Sequence, residues 1–145
     1  MRKIHLAVGV VCLLALAGCA PKMNRQGVLL AMRDADAAFR KAVSEKDVQG
    51  IVAAYADDAS MFPPGLPTIT GKEAIRARWA QDVAIPGFRL SWLVKKRDVS
   101  SSGDLGFTQG VYVIHLSDPK GQLIIERGKY VVGEGVTGRV VQTGQ

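Results

Sequence analysis

Two aspartates stand side by side at 57 and 58, and His115 and Glu126 follow in the second half of the chain. Such groups could move protons. Paired carboxylates can split their pKa values and divide acid from base work. His115 could act as a base if Glu126, on the returning strand, oriented it. Both patterns also have structural readings. Adjacent acids after a helix end bond local loop amides, which suits Asp58. A solitary histidine is more often half-buried structure, and without a cysteine partner no zinc site is expected. The catalytic residues are therefore unassigned, and an enzyme would have to use a set such as Asp58, His115 and Tyr112. Tyr55, Trp79, Trp92, Tyr112 and Tyr130 form a stronger group. Such side chains offer apolar area with a polar handle, as small-molecule pockets use. These five are the expected pocket lining, Tyr112 and Trp92 foremost.

The two cysteines point elsewhere. Arg2 and Lys3 make a basic start, and residues 6–16 are apolar apart from Gly9. That is the length of a signal-peptide core and too short to span a bilayer as an ordinary helix. Leu16-Ala17-Gly18-Cys19 follows and resembles the bacterial lipobox. The resemblance implies a signal peptide over 1–18, an acylated Cys19 at the start of the mature chain, and a lipid anchor in the bacterial cell envelope. Each buried methylene contributes about 0.8 kcal/mol, so several acyl chains hold stably where one would not. Ala20 behind the cysteine resembles the sorting pattern of outer-membrane lipoproteins that face the periplasm. Cys12 leaves with the signal peptide, so no thiol remains for a disulfide, a nucleophile or a metal.

Residues 19–145 then carry 17 Lys and Arg against 13 Asp and Glu, a net charge of +4 once Arg2 and Lys3 are gone. That size fits one domain, and that charge is no footprint of nucleic-acid binding. No cofactor is expected. The glycines, "GDLG" (103–106) included, form no phosphate-binding loop, because none opens a helix after a strand at the required spacing.

The elements that must position these side chains are legible. Residues 19–27 read as a polar tether. Val28, Met32, Ala35, Phe39, Ala42 and Val43 recur at steps of three and four, predicting a helix over 27–45. Asp47 should cap a second, short helix with Val48, Ile51, Val52 and Tyr55 on one face. Pro63, Pro64, Gly65 and Pro67 make 56–67 a strand edge and loop. "TGKE" (70–73) reads as a capping box for a third helix, which runs to about Val83 and sets Ile75 and Trp79 on one face. The period then changes to two, with Phe88, Leu90, Trp92 and Val94 on one side. A turn at 100–104 leads to a strand over 105–116, with Tyr112 and His115 on opposite faces. "DPKG" (118–121) suits a type I turn. Strands over 122–132 and 138–143 complete the chain. Lys95-Lys96-Arg97 falls on both faces of a strand end, a solvated edge that discourages strand addition. Helices and strands are segregated, which reads as α+β with a curved antiparallel sheet.

That order, with "YADDA" (55–59), "FPPGLPTITGKEAI" (62–75), "GDLGFTQGVY" (103–112) and "GKYVV" (128–132), resembles the nuclear transport factor 2-like superfamily. Within it, the SnoaL-like, ketosteroid-isomerase-like proteins are most similar. The resemblance covers about residues 30–132 and implies a domain over 28–145. That domain is a cone: a curved antiparallel sheet wraps three N-terminal helices and leaves a hydrophobic pocket, and a homodimer forms through the sheet. The family includes isomerases, cyclases, dehydratases and association domains, so the fold does not give the function. A ketosteroid isomerase needs a carboxylate base after helix two, and a tyrosine with a protonated aspartic acid as oxyanion hole. The lined-up positions hold Pro63, within Phe62-Pro63-Pro64, and Phe39. Asp98, Asp104 and Asp118 lie at strand ends and in a turn. Residues 133–145, with four glycines and no aromatic, depart from the family's last strands. The expectation is a membrane-anchored lipoprotein that binds a small apolar ligand or a protein partner. The alternative is a SnoaL-like lyase, isomerase or hydrolase acting on a small hydrophobic substrate.

Overall fold

The computed structural model describes residues 24–135 and 138–144, with side chains through residue 135. The expected signal peptide over 1–18, Cys19 and the start of the expected tether lie outside the described residues. Helix α1 spans Arg25–Glu45, α2 Val48–Ala53 and α3 Lys72–Ala84. The strands are β1 Ser60–Phe62, β2 Ile69–Thr70, β3 Arg89–Val99, β4 Leu105–Ser117, β5 Leu123–Gly135 and β6 Gly138–Gly144. They form one six-stranded sheet in the order β2-β1-β6-β5-β4-β3. Its long neighbours pair antiparallel, and only the short β1–β6 contact is parallel. The fold is α+β, with the helices packed on the sheet's concave face.

Helix α1 starts earlier than the apolar spacing suggests, so the tether ends by Asn24 instead of running to residue 27. The Asn24 side chain accepts from the Gly27 amide at 3.0 Å, which satisfies one orphan donor of the first turn. Arg25 pairs with Asp98 and ties this end of the helix to the end of β3. The amide of Val99, with Arg25 and Lys96 contributing less, holds the Asp98 carboxyl below its ordinary 3.8. The helix stops at Lys46, which adopts φ 56. Its amide bonds back to the Val43 carbonyl at 3.1 Å, closing the last turn.

The capping box at 70–73 does not form. Thr70 belongs to β2, and its hydroxyl bonds Ser60 across the ladder at 3.2 Å. Gly71, at φ 90, becomes the residue before α3. Glu73 pairs with Arg76 at 3.3 Å instead of reaching back. Asp47 does stand before α2, but it contributes its carbonyl, which accepts from Ile51 at 2.9 Å, and no side-chain cap. The apolar faces meet in one core. Ile51, Val52 and Ile75 are fully buried, and Ile51 and Ile75 share a cluster with Val43, Trp79, Val83 and Phe88. Full burial of each such side chain contributes about 1.5–3 kcal/mol.

One irregularity in the sheet matters most. Leu93 faces Val111 and Val94 faces Gly110, but Lys96 then faces Gln109, so Lys95 is an extra residue in β3. A bulge shifts the side-chain parity of everything after it. The alternation expected through Val94 therefore does not continue. Lys95 and Lys96 are both exposed, while Arg97 turns inward opposite Thr108. Gly110 faces the bulge with no side chain: a Cβ there would strike the Leu93 carbonyl oxygen and stand 2.8 Å from the Tyr130 ring.

The C-terminal segment does form a strand in spite of its glycines. Val141 pairs with Val132 of β5 on one side and with Met61 of β1 on the other. Ladder partners on both sides offset the weak strand propensity of glycine.

Gly110→Ala should therefore destabilise the domain by about 1–3 kcal/mol, the range for overpacking a tight site. Urea unfolding measures it. An unchanged midpoint would show that the β3 backbone is not held this close.

Candidate functional site

A cavity of about 220 Å³ lies between the sheet and helices α1 and α3. All five expected aromatics line it. Tyr55 follows α2, Trp79 comes from α3, and Trp92, Tyr112 and Tyr130 come from β3, β4 and β5. A sixth ring, Phe39 of α1, stands among three of them. Its centroid lies 6.2 Å from Tyr55, 5.8 Å from Trp79 and 5.7 Å from Trp92. Edge and tilted contacts of this kind add about 0.5–1.5 kcal/mol per pair beyond area burial. Trp79 Nε1 donates to the Tyr55 hydroxyl at 3.0 Å, so both polar handles are satisfied inside the core.

One end of the cavity is polar. Trp92 Nε1 donates to Asp36 Oδ1 at 2.9 Å. The other Asp36 oxygen lies 3.4 Å from Arg40 and 3.9 Å from Arg97. Arg97 Nε donates to the Thr108 hydroxyl at 3.2 Å, and that hydroxyl donates to Glu134 at 3.4 Å. The Arg40 guanidinium also covers the Trp92 ring, 4.2 Å from its centroid. The sequence does not single out Asp36, and it shows Arg97 only within a basic run at a solvated strand end. A signal existed for Asp36: it sits four residues after Met32 and three before Phe39, on the inward stripe, whereas Ala35 is exposed. For Arg97 there was none, because only the bulge turns it inward.

The opposite side holds Arg78, Asp82, Glu126 and Tyr112. Arg78 grips Asp82 with two contacts of 2.8 Å. Burial, and then the charge of Glu126, push the Tyr112 hydroxyl above its ordinary value of 10.0. The Tyr112 ring lies over Gly128, its partner across the ladder.

The other proton-moving candidates are not gathered here. His115 faces Ile125 and Arg89, and Glu126 faces Ile114, so His115 and Glu126 are on opposite faces of the sheet. Asp57 and Asp58 are exposed. Asp57, not Asp58, makes the local contacts, with the Lys72 side chain at 3.2 Å and the Lys72 amide at 3.1 Å. The set Asp58, His115 and Tyr112 therefore shares no site. Pro63 and Phe39 do line the cavity, and neither can exchange a proton. Among the described residues, no cluster of three His, Cys, Asp or Glu could hold a metal. No helix among them is long and apolar enough to cross a membrane.

Residues 36–143 match the SnoaL-like domain. Among solved structures, a ketosteroid isomerase-like protein from Erwinia carotovora atroseptica is 19% identical, with a TM-score of 0.64 over 81% of this chain and 96% of its own. A conserved protein from Planctomyces limnophilus is 17% identical, with a TM-score of 0.63 over 83% of this chain and 96% of that one. A Mycobacterium tuberculosis protein in complex with estradiol-17β-hemisuccinate is 22% identical, with a TM-score of 0.58 over 78% of this chain and 92% of that one. At these identities the likeness is one of fold. A search among curated proteins finds no match.

The raised Tyr112 hydroxyl has a pH consequence. A tyrosine that holds its proton more tightly when folded contributes stability that is whole below about pH 10 and is lost as the pH rises through the folded value. Thermal melts across that range should fall more steeply for the wild type than for Tyr112→Phe. Parallel curves would mean that the hydroxyl is solvated.

Proposed function

The chain belongs to the SnoaL-like domain family, and on that premise we propose a binding protein whose cavity holds a small, ring-bearing, largely apolar molecule. The observation that carries this reading is the convergence of Phe39, Tyr55, Trp79 and Trp92 on one cavity wall. Flat aromatic faces favour a flat apolar guest, and the polar edges of the cavity fix its orientation. The ketosteroid-isomerase residue set gives no competing reading, since the resemblance lines up Pro63 and Phe39 with its base and its tyrosine. That a M. tuberculosis protein of this fold was solved with a steroid ester supports a ringed guest by analogy.

A second reading has its own observation. Carboxylates of Asp36, Asp82, Glu126 and Glu134 border the cavity, and Tyr112 stands beside Glu126. Ionisable groups in an apolar cleft are where proton-transfer chemistry is built. A lyase, isomerase or hydrolase acting on a small hydrophobic substrate would use these groups and not His115 or Asp58.

The proposal also has the protein tethered by acylated Cys19 at the periplasmic face of the bacterial outer membrane. Its support is the run Leu16-Ala17-Gly18-Cys19 behind an apolar segment and a basic start. It has two copies meeting through the outer face of the sheet. Its support is an exposed apolar strip there, with Leu93 56%, Val131 42% and Val111 37% exposed, larger than scattered surface residues require.

Native mass spectrometry of protein extracted gently from its own host tests all three parts. The expected spectrum shows acyl mass on Cys19, a dimer, and a retained small molecule that Trp92→Ala loses. A bare Cys19 sinks the anchor, a monomer sinks the dimer, and an empty wild-type cavity sinks the binding reading.

A further inference from the structure

We infer that the cavity selects a ligand bearing one positively charged amine, received by Glu126 while the ligand's ring lies against Trp79 and Trp92. This deepens the binding reading above and rests on it.

The inference comes from the charges around the cavity. Asp36 is already met by Trp92, Arg40 and Arg97. Asp82 is held twice by Arg78. Glu134 accepts from Thr108. Glu126 alone of the four carboxylates has no ion pair or hydrogen bond among the described residues. The cations near it are committed or turned away. Arg78 is bound to Asp82, Arg97 is bound to Asp36 and Thr108, and Arg127, next on β5, lies on the opposite face with Val113. The charge left open to a guest is therefore negative.

Its position adds to this. Glu126 borders both the main cavity and an adjoining lobe of about 160 Å³, which Ile85, Phe88 and Leu116 make apolar. A cation held there has Tyr112 and Trp79 within the same lining. Aromatic faces attract ammonium groups, an attraction that persists, though weakened, at exposed sites such as this one. A ligand carboxylate at the same point would meet a like charge; Glu126 is exposed, so that repulsion is felt chiefly at low ionic strength and salt weakens it.

A matched series separates this inference from the reading beneath it. Naphthylmethylamine, naphthylmethanol and naphthoate share a ring and differ in charge. Calorimetry at low ionic strength should show the amine binding about threefold to fivefold more tightly than the alcohol, with naphthoate weakest. Added sodium chloride should erode the amine's advantage. Glu126→Gln should bring the amine-to-alcohol ratio to about one. If the wild type binds all three equally, or naphthoate best, the amine inference falls and the apolar pocket stands. If the amine wins but Glu126→Gln keeps the ratio, the assignment to Glu126 falls. If none of the three binds, the inference falls together with the binding reading.

Discussion

The molecule depends on how one ring is held. Phe39 projects from the middle of α1 and touches rings supplied by the end of α2, by α3 and by β3. Nothing else among the described contacts joins all four elements at one point. Because aromatic pairs prefer edge and offset contact over face-to-face stacking, the rings splay instead of collapsing into a stack. These rings pack in one cluster with the fully buried Ile51 and Ile75. On the near side the sheet passes at a distance, and the cavity is what remains. The same residues are thus core on one side and pocket wall on the other.

The second constraint is parity. A strand that kept strict alternation past Trp92 would turn Lys96 and Asp98 inward and leave Arg97 in solvent. The extra residue at Lys95 reverses this. Gly110 accommodates it, since a side chain there would collide with the β3 backbone. The consequence is electrostatic. Asp36 lies on the inward stripe of α1, where Arg40 and the indole of Trp92 meet it whatever follows in β3. The bulge adds Arg97 as a further partner, which lowers the cost of burying its charge. A backbone irregularity in one strand thereby makes an acidic residue tolerable on the facing helix.

These two features bear on function because this fold serves many activities, and only the lining distinguishes them. Pro63 and Phe39 belong to that lining, and neither side chain can exchange a proton. Where polar groups do occur, most are engaged with each other. The few groups left unengaged are the ones a guest of the proposed kind would meet.

Much of this was legible before any coordinates. The helices, the change of period after residue 87 and the turn at 118–121 follow from local rules: side-chain periodicity and the steric limits of proline and glycine. Such rules involve residues a few places apart, so the amino-acid sequence by itself determined them. Other readings failed where a distant partner competed. Thr70 looks like a helix cap but is claimed by Ser60 across the sheet. His115 and Glu126 look like a pair but fall on opposite faces once β4 and β5 take their register. Asp36, Arg97 and Thr108 form a network only because α1, β3 and β4 are brought together around a bulge. Only the tertiary structure decided these points, because a one-residue change in ladder register moves a side chain from one face of a sheet to the other, and no local pattern specifies that register.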